Sequence, residues 1–424
     1  MDRELNKKSS FFPMIIIGIL FFIFGFVTWL NGSLIPFLKV ICDLNDFQAL
    51  FVSFAFYIAY TVMALPMAYL LERTGYKNGM AIGLGVMAVG SLLFIPAALS
   101  AEYAIFLVAL FTLGTGLTIL QTASNPYVVL IGPIESAAMR ISIMGLINKG
   151  AGVLVPLIFT ALILSGIGST DNLSAQEINN LAERLIEPYI VMAVVLIGLI
   201  ALVKFSSLPE LEFEVDEEKD AQNIFAFPRV VLGALALFFY VGVEVIAGDT
   251  IGLYGQSLGL QGATALTSFT MIFMVFGYLV GVFFIPKYLS QEKALVGSSL
   301  SGILFLLGVA FSSTTDMWIS EMLWGWSGIL TLPNSITFVA LLGFANALVW
   351  PTIWPLAIEG LGRHTAKASA LLIMAIAGGA VLPLAFGKIA EISQNMQISY
   401  LFGILCYLVI LIYALKWHKM ESWK

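Results

Sequence analysis

The amino-acid sequence predicts an all-α membrane protein with twelve transmembrane helices. Three observations lead to this fold class: the composition, the length of the apolar runs, and the distribution of lysine and arginine. Of the 424 residues, 60% are hydrophobic and 11% are charged, whereas soluble domains contain about 45–50% apolar and about 25% charged residues. A water-exposed surface cannot be built from so few charged side chains, so most of the chain is expected to face lipid.

The apolar runs are long enough to cross a bilayer as helices. A helix needs about 20 apolar residues to span the hydrocarbon core, and continuously apolar runs favour helices over the alternating strands of a barrel. The first run is longer than the apolar core of a signal peptide, about 7–15 residues, so it is interpreted as a retained span. The predicted spans are residues 11–38, 47–71, 78–99, 103–131, 141–166, 184–206, 228–255, 263–286, 293–313, 332–358, 365–387 and 396–416.

The cationic residues predict the orientation. With both termini in the cytoplasm, sixteen of the twenty lysines and arginines fall in cytoplasmic segments, and only Lys39, Arg184 and Lys388 fall outside. The remaining one, Lys149, lies within a span. Cytoplasmic loops are enriched in lysine and arginine, and one missed span would reverse this bias for every later loop. The charges therefore support twelve spans with cytoplasmic N- and C-termini.

An acidic polar segment, residues 206–227, divides the chain into two sets of six spans. It predicts an N-terminal six-helix bundle (1–206), an acidic cytoplasmic linker (207–227) and a C-terminal six-helix bundle (228–424). Most of the net charge of −6 comes from this segment, so nucleic acid is not an expected partner. The two sets also repeat one another, since LFFIFGFV (20–27) resembles LFFYVGVE (237–244) and GAGVLVPL (150–157) resembles AGGAVLPL (377–384). Duplicated halves are typical of transporters that bind a solute between them.

Five stretches in the same order resemble a known family, the fucose/glucose-galactose:cation symporters of the major facilitator superfamily, and the match is close to its bacterial glucose/galactose branch. The resemblance implies sugar transport by symport across the bacterial inner membrane, with glucose, galactose or fucose as substrate. It covers nearly the whole chain. The stretches are FFIFGFVTWLNGSLIPFLK (21–39), LLERTGYKNG (70–79), LQTASNPYVVLIGPIESAAMRISIMGLINKGAG (120–152), LFFYVGVEVIAGDTIGLYG (237–255) and ANALVWPTIWPLAIEGLG (345–362).

Two departures limit what the resemblance implies. Proton-coupled fucose transporters have an Asn-Asp pair in the first helix, whereas this chain has Asn31 and Gly32, so the coupling mechanism does not transfer. Asn31 remains a candidate for sugar binding. The short loop of residues 72–77 (ERTGYK) keeps the Arg and Gly of the superfamily's cytoplasmic signature and lacks its usual Asp.

Predicted span 7 contains buried carboxylates, which are costly in a membrane and therefore candidates for function. Glu244 lies fifteen residues into the span, about 22 Å along a helix axis. Tyr240 lies one turn earlier on the same face. We expect Glu244 to bind a coupling cation or sugar hydroxyls, the alternative being a carboxyl that only joins helices. Asp249 lies nearer the outside, at a break expected from Gly248 and Gly252, and is a second candidate for ion coupling.

Amide side chains in predicted spans 4 and 5 are candidates for sugar binding, because amides both donate and accept hydrogen bonds. Gln121 and Asn125 share one helix face, and Pro126 is expected to break the hydrogen-bond ladder just after them, which frees backbone carbonyls to face a cavity. Asn148 and Lys149 lie roughly 13 Å into span 5. The alternative for the amides is that they join membrane helices without binding a ligand.

Glu135 and Lys149 are a candidate ion-coupling pair across spans 4 and 5. In the resembling symporters, a glutamate at the matching Gly-Pro-Glu position is linked to proton coupling, although an additional Ile134 precedes Glu135 in this chain. The alternative is an interfacial Glu135 that pairs with Arg140 or favours the start of span 5.

Tryptophan rings are candidates for stacking on a sugar ring. Trp350 and Trp354 are four residues apart in a span with two prolines, where Asn346 is expected on the same face. Trp29 in the first span is a third candidate for stacking. The alternative is an interfacial aromatic belt, which suits the loop tryptophans better than residues deep in span 10.

The sequence therefore predicts a secondary active transporter that takes up a hexose with Na⁺ or H⁺ by alternating access, as a monomer in membrane lipid. Sodium is preferred over protons, because the first-helix Asp is absent and Glu244 with backbone carbonyls would form an oxygen cage. Other hypotheses are a proton-coupled exporter of amphipathic compounds, or a non-transporting membrane sensor or enzyme. With two cysteines and two histidines in no ligand spacing, no metal site, cofactor or enzymatic activity is expected.

Overall fold

The computed structural model describes residues 2–130, 137–164, 174–206, 208, 224–285, 288–359, 361 and 365–423. In this part of the chain, twelve helical segments are long and apolar enough to cross a membrane, and no strand is present. The predicted fold class and the predicted number of spans are confirmed. Of the predicted linker, the structure describes residues 208 and 224–227.

Several spans consist of two consecutive helices. The first six spans comprise Asp2–Trp29 with Asn31–Ile41 (span 1), Asp46–Ala49 with Phe51–Thr74 (2), Tyr76–Ser100 (3), Tyr103–Leu130 (4), Ala137–Ile163 (5) and Ala175–Glu183 with Ile186–Phe205 (6). The last six comprise Pro228–Asp249 with Ile251–Ser257 (7), Thr267–Phe284 (8), Gln291–Phe311 (9), Asn334–Asn346 with Val349–Ile358 (10), Thr365–Met374 with Gly378–Ser393 (11), and Met396–Ser399 with Phe402–Leu415 (12). A short helix, Trp318–Trp324, lies between spans 9 and 10.

The helix breaks differ in part from those expected from the prolines. Span 7 breaks at Thr250, between the two glycines that predicted a break. Span 10 breaks after Asn346 and resumes at Val349, which places Pro351 in the first turn of the new helix, where a missing N–H costs little. Span 4 continues as one helix to Leu130, so the missing N–H of Pro126 does not end the helix.

Equivalent spans of the two halves pack through glycines. In the first half, span 1 lies against span 5, and a Cβ on Gly25 would overlap the Asn148 carbonyl. In the second half, span 7 lies against span 11, and a Cβ on Gly378 would overlap the Phe238 carbonyl. Such close approach between backbones is possible only for residues without a side chain.

The two sets of spans meet along a central seam. Because the number of spans is even, both termini lie at one end of the bundle, called here the termini end, and the opposite end is called the far end. At the far end, the Ser33 hydroxyl donates to the Thr264 carbonyl at 2.7 Å. The hydroxyls of Thr160 and Thr264 are 2.7 Å apart, and the Ser268 hydroxyl donates to the Val153 carbonyl at 2.7 Å. These contacts hold the two halves together at the far end.

Candidate functional site

A buried ion pair joins the two halves near the middle of the bundle. The Lys149 Nζ of span 5 lies 2.7 Å from the Glu244 Oε1 of span 7, and each residue is 8% exposed. The same ammonium lies 4.4 Å from the centre of a ring of Trp29. The lysine is therefore compensated by a carboxylate and by the face of an aromatic ring, as a buried cation requires.

Trp29 is positioned by its neighbours in both halves. Its indole Nε1 donates to the Asn148 Oδ1 at 3.4 Å, and the Asn148 Nδ2 donates to the Phe21 carbonyl at 3.4 Å. The ring lies between Gly152 and Gly248, where an added Cβ would approach it to 2.6 Å and 2.5 Å. Glycines on both sides thus form the slot in which the ring supports Lys149. Trp29 was weighed from the sequence for sugar stacking, whereas its contact with Lys149 was not predicted.

The aromatic residues of the second half lie close to this pair. The rings of Trp350 and Trp354 are stacked with centroids 5.3 Å apart, and Tyr240 lies 6.4 Å from Trp350. Asn346 is fully buried, and its Oδ1 accepts a hydrogen bond from the Tyr407 hydroxyl at 2.7 Å. Because span 10 breaks after Asn346 and resumes at Val349, the amide and the two tryptophans belong to separate helices, and the single helix face expected from the sequence is interrupted between them.

The predicted amide side chains differ in how many of their hydrogen bonds are formed within the protein. The Gln121 Nε2 donates to the Tyr60 hydroxyl at 3.0 Å, and Asn125 is half-buried one turn further along. The Nδ2 atoms of Asn31 and Asn346 are buried with no hydrogen-bond partner. An unsatisfied buried donor costs about 1–3 kcal/mol, so these two amides have unused capacity for a ligand.

Asp249 lies apart from the Lys149–Glu244 pair, in the seam toward the far end. It is fully buried, and its Oδ2 accepts a hydrogen bond from the Ser53 hydroxyl of span 2 at 2.7 Å. Its Oδ1 has no partner.

Three of the predicted residues form contacts between the halves: Lys149 with Glu244, and Asp249 with Ser53. Glu135 lies outside the described residues, and the partner that the structure gives Lys149 is Glu244. Sequence reasoning missed Ser53, Tyr60 and Tyr407, because a hydroxyl in an apolar helix carries no signal of the partner it meets from another span. In the described part of the chain, no group of three or more His, Cys, Asp or Glu is arranged to hold a metal ion.

Comparison with known proteins places the chain in a family. It is 34% identical over 418 residues to a glucose/galactose transporter of Brucella abortus, covering 97% of this chain and 95% of that protein. It is 27% identical over 439 residues to the L-fucose-proton symporter of Escherichia coli, with 98% and 95% covered.

Two solved structures share the fold. The outward conformation of the transporter FucP matches with a TM-score of 0.71 and 25% identity, covering 96% of this chain and 98% of that chain. The inward-open xylose transporter XylE of E. coli matches with a TM-score of 0.70 and 14% identity, with 98% and 97% covered. The sequence model of the Major Facilitator Superfamily matches residues 17–383. The chain therefore belongs to the Major Facilitator Superfamily, as a multi-pass transporter of the plasma membrane.

Proposed function

We propose that this protein takes up a hexose of the glucose or galactose type together with protons, by alternating access between the termini end and the far end. The observation that carries the proposal is the Lys149–Glu244 ion pair, which joins the two halves in a buried position beside amides and stacked tryptophans. The names of the relatives, glucose/galactose transporter and L-fucose-proton symporter, support the same substrate class.

The ion pair favours protons over sodium as the coupling ion. The Lys149 ammonium already occupies the position beside Glu244 that a sodium ion would take, which removes the oxygen cage expected from the sequence. A proton added to Glu244 would neutralise the carboxylate and leave Lys149 supported by Trp29 alone. Because the pair joins span 5 to span 7, its loss would release one of the bonds that hold the halves together.

Sugar recognition in this proposal uses the unsatisfied amides and the aromatic rings. The buried Nδ2 groups of Asn31 and Asn346 offer donors to sugar hydroxyls, while Gln121, Asn125 and Asn148 are further candidate amides from spans 4 and 5. The ring pair Trp350–Trp354 offers an apolar face for the C–H side of a pyranose. We further propose that the termini lie in the cytoplasm and that the protein functions as a monomer in lipid.

Uptake into proteoliposomes tests the proposal. Glucose and galactose uptake should be driven by an inward proton gradient, and an equal sodium gradient at constant pH should have no effect. Glu244→Gln should abolish accumulation under the proton gradient. The matched control is Glu292→Gln, which removes an exposed glutamate paired with Lys419 at 2.8 Å and should leave uptake unchanged. Uptake that is indifferent to both gradients would contradict symport.

A further inference from the structure

A second carboxyl, that of Asp249, lies in the seam of the far end in an unusual environment. Asp249 is the last residue of the helix Pro228–Asp249 and is fully buried. One carboxyl oxygen accepts a 2.7 Å hydrogen bond from Ser53 across the seam, and the other has no partner. Since Ser53 belongs to the first half and Asp249 to the second, this bond exists only while the far end is closed.

Burial and a nearby carboxylate disfavour a negative charge on Asp249. The titratable groups that interact with it are Glu244 of the same span and Tyr57 of span 2, and the hydroxyl of Tyr400 in span 12 lies 2.7 Å from that of the neighbouring Thr250. Among the described residues, the ion pairs do not include Asp249, and the buried Lys149 is paired with Glu244. A buried carboxylate with one hydrogen bond and no cation costs far more than a neutral carboxyl.

We propose that Asp249 is a proton-binding site that latches the far end. When the far end is closed, the carboxyl carries a proton and is joined to Ser53. When the far end opens, Ser53 separates, water reaches the carboxyl, and the O–H bond breaks with release of the proton to solvent on that side. The proton therefore enters and leaves from the far side, which distinguishes this site from the coupling pair Lys149–Glu244.

This latch makes the far end sensitive to pH. Because closing takes up one proton, lower pH favours the closed form. The ratio of open to closed molecules changes by up to about tenfold per pH unit, at pH values between those at which the open form and the closed form are half-protonated. The inference rests on the alternation between two ends in the proposed function, and it is independent of the sugar.

A distance measurement across the far end tests the latch without any substrate. Spin labels are placed at Glu102→Cys in the first half and Gln261→Cys in the second, both exposed positions, in a protein with Cys42→Ser and Cys406→Ala. Double electron–electron resonance then gives the fraction of molecules with the longer, open distance at each pH. The open fraction should rise with pH in the otherwise unchanged protein.

Three variants test whether Asp249 causes the pH dependence of the open fraction. Asp249→Asn mimics the protonated acid and should hold the short distance at every pH, whereas Glu244→Gln should keep the rise with pH. Ser53→Ala removes the bond and retains the carboxyl, so it should increase the ratio of open to closed molecules roughly fivefold while keeping the pH dependence. An unchanged pH dependence in Asp249→Asn would overturn the latch, as would a Ser53→Ala protein with no pH dependence. If sugar uptake fails while these distances behave as expected, the substrate assignment is wrong and the latch stands.

Discussion

The first six and the last six spans use glycine at the same place in their repeated sequences. Gly25 and Gly242 are the sixth residues of LFFIFGFV and LFFYVGVE. A Cβ on Gly25 would overlap the backbone of Asn148 in span 5, and a Cβ on Gly242 would overlap the side chain of Leu382 in span 11. The repeat has thus kept the positions at which helices approach closely, in both halves.

The two halves differ at the positions that carry charge. Glu244 ends the second repeat, where the first ends in the buried Val27. Lys149 precedes GAGVLVPL, where the buried Ile376 precedes AGGAVLPL. The ion pair therefore lies between spans 5 and 7, while the equivalent positions in spans 1 and 11 are apolar. Close helix packing is thus repeated in both halves. The charged residues proposed for coupling are present only in spans 5 and 7, and not at the equivalent positions of spans 1 and 11.

The largest expected effect comes from removing the Lys149–Glu244 pair, which is present in spans 5 and 7 and is replaced by apolar residues at the equivalent positions of spans 11 and 1. Lys149→Met leaves Glu244 buried without a cation and should lower the free energy of unfolding by about 3–5 kcal/mol. The double variant Lys149→Met, Glu244→Leu makes the pair apolar, as in spans 1 and 11. It should recover most of the stability and still lack proton-driven uptake. Thermal unfolding in detergent and proteoliposome uptake measure the two effects. A double variant as unstable as Lys149→Met would show that the pair does more than balance two charges.

The second prediction sharpens the comparison of packing. Gly25→Ala should cost more stability than Gly242→Ala, because the first clash is with a backbone carbonyl, whereas the shortest contact in the second is with the terminal methyl of a leucine side chain. Overpacking of this kind costs about 1–3 kcal/mol. Gly25→Ala should also reduce uptake, since it displaces Asn148, next to Lys149. The control is Gly198→Ala, where no atom lies within 4 Å of an added Cβ. Equal losses for both variants would contradict the prediction.

The number and order of the spans could be predicted, because each span is a long apolar run of consecutive residues. The pairing of polar groups between spans could not be predicted from the sequence. Lys149 was expected to need a partner, but the choice of Glu244 depends on how span 5 meets span 7. The partner of Asp249 is a serine in an otherwise apolar stretch of span 2. The helix Ala175–Glu183 was also missed, although Ser174 and Glu177 form a capping box at its start, a signal present in the sequence.

The third prediction compares sugar binding between the halves. The buried Nδ2 of Asn346 in the second half has no partner, whereas the Nε2 of Gln121 in the first half already donates to Tyr60. Asn346→Ala should therefore weaken hexose binding by about tenfold and Gln121→Ala by about threefold, the range of one hydrogen bond. Tyr407→Phe is the matched control for Asn346, because it keeps the amide and removes only the hydroxyl that binds its Oδ1. Binding is measured by tryptophan fluorescence, and a larger loss for Gln121→Ala would reverse the proposed roles.

The last prediction concerns the two cysteines, one in each half, and the smallest expected change is that caused by Glu102→Gln. Cys42 lies at the far end just beyond span 1, where burial, and secondarily Glu102, raises the pKa of its thiol from 9.0 to about 11. Since only the thiolate reacts, a shift of this size reduces the reactive fraction at pH 7.5 by about 100-fold, and the rate should rise about tenfold per pH unit below the pKa. Cys406 is fully buried in span 12 and should not react while the protein is folded. Alkylation by maleimide, followed by mass spectrometry, measures both sites. Glu102→Gln should modestly accelerate the reaction of Cys42 and leave Cys406 unmodified. A Cys42 that reacts at the rate of a free thiol would contradict the prediction, because it would show that the thiol is exposed to water most of the time.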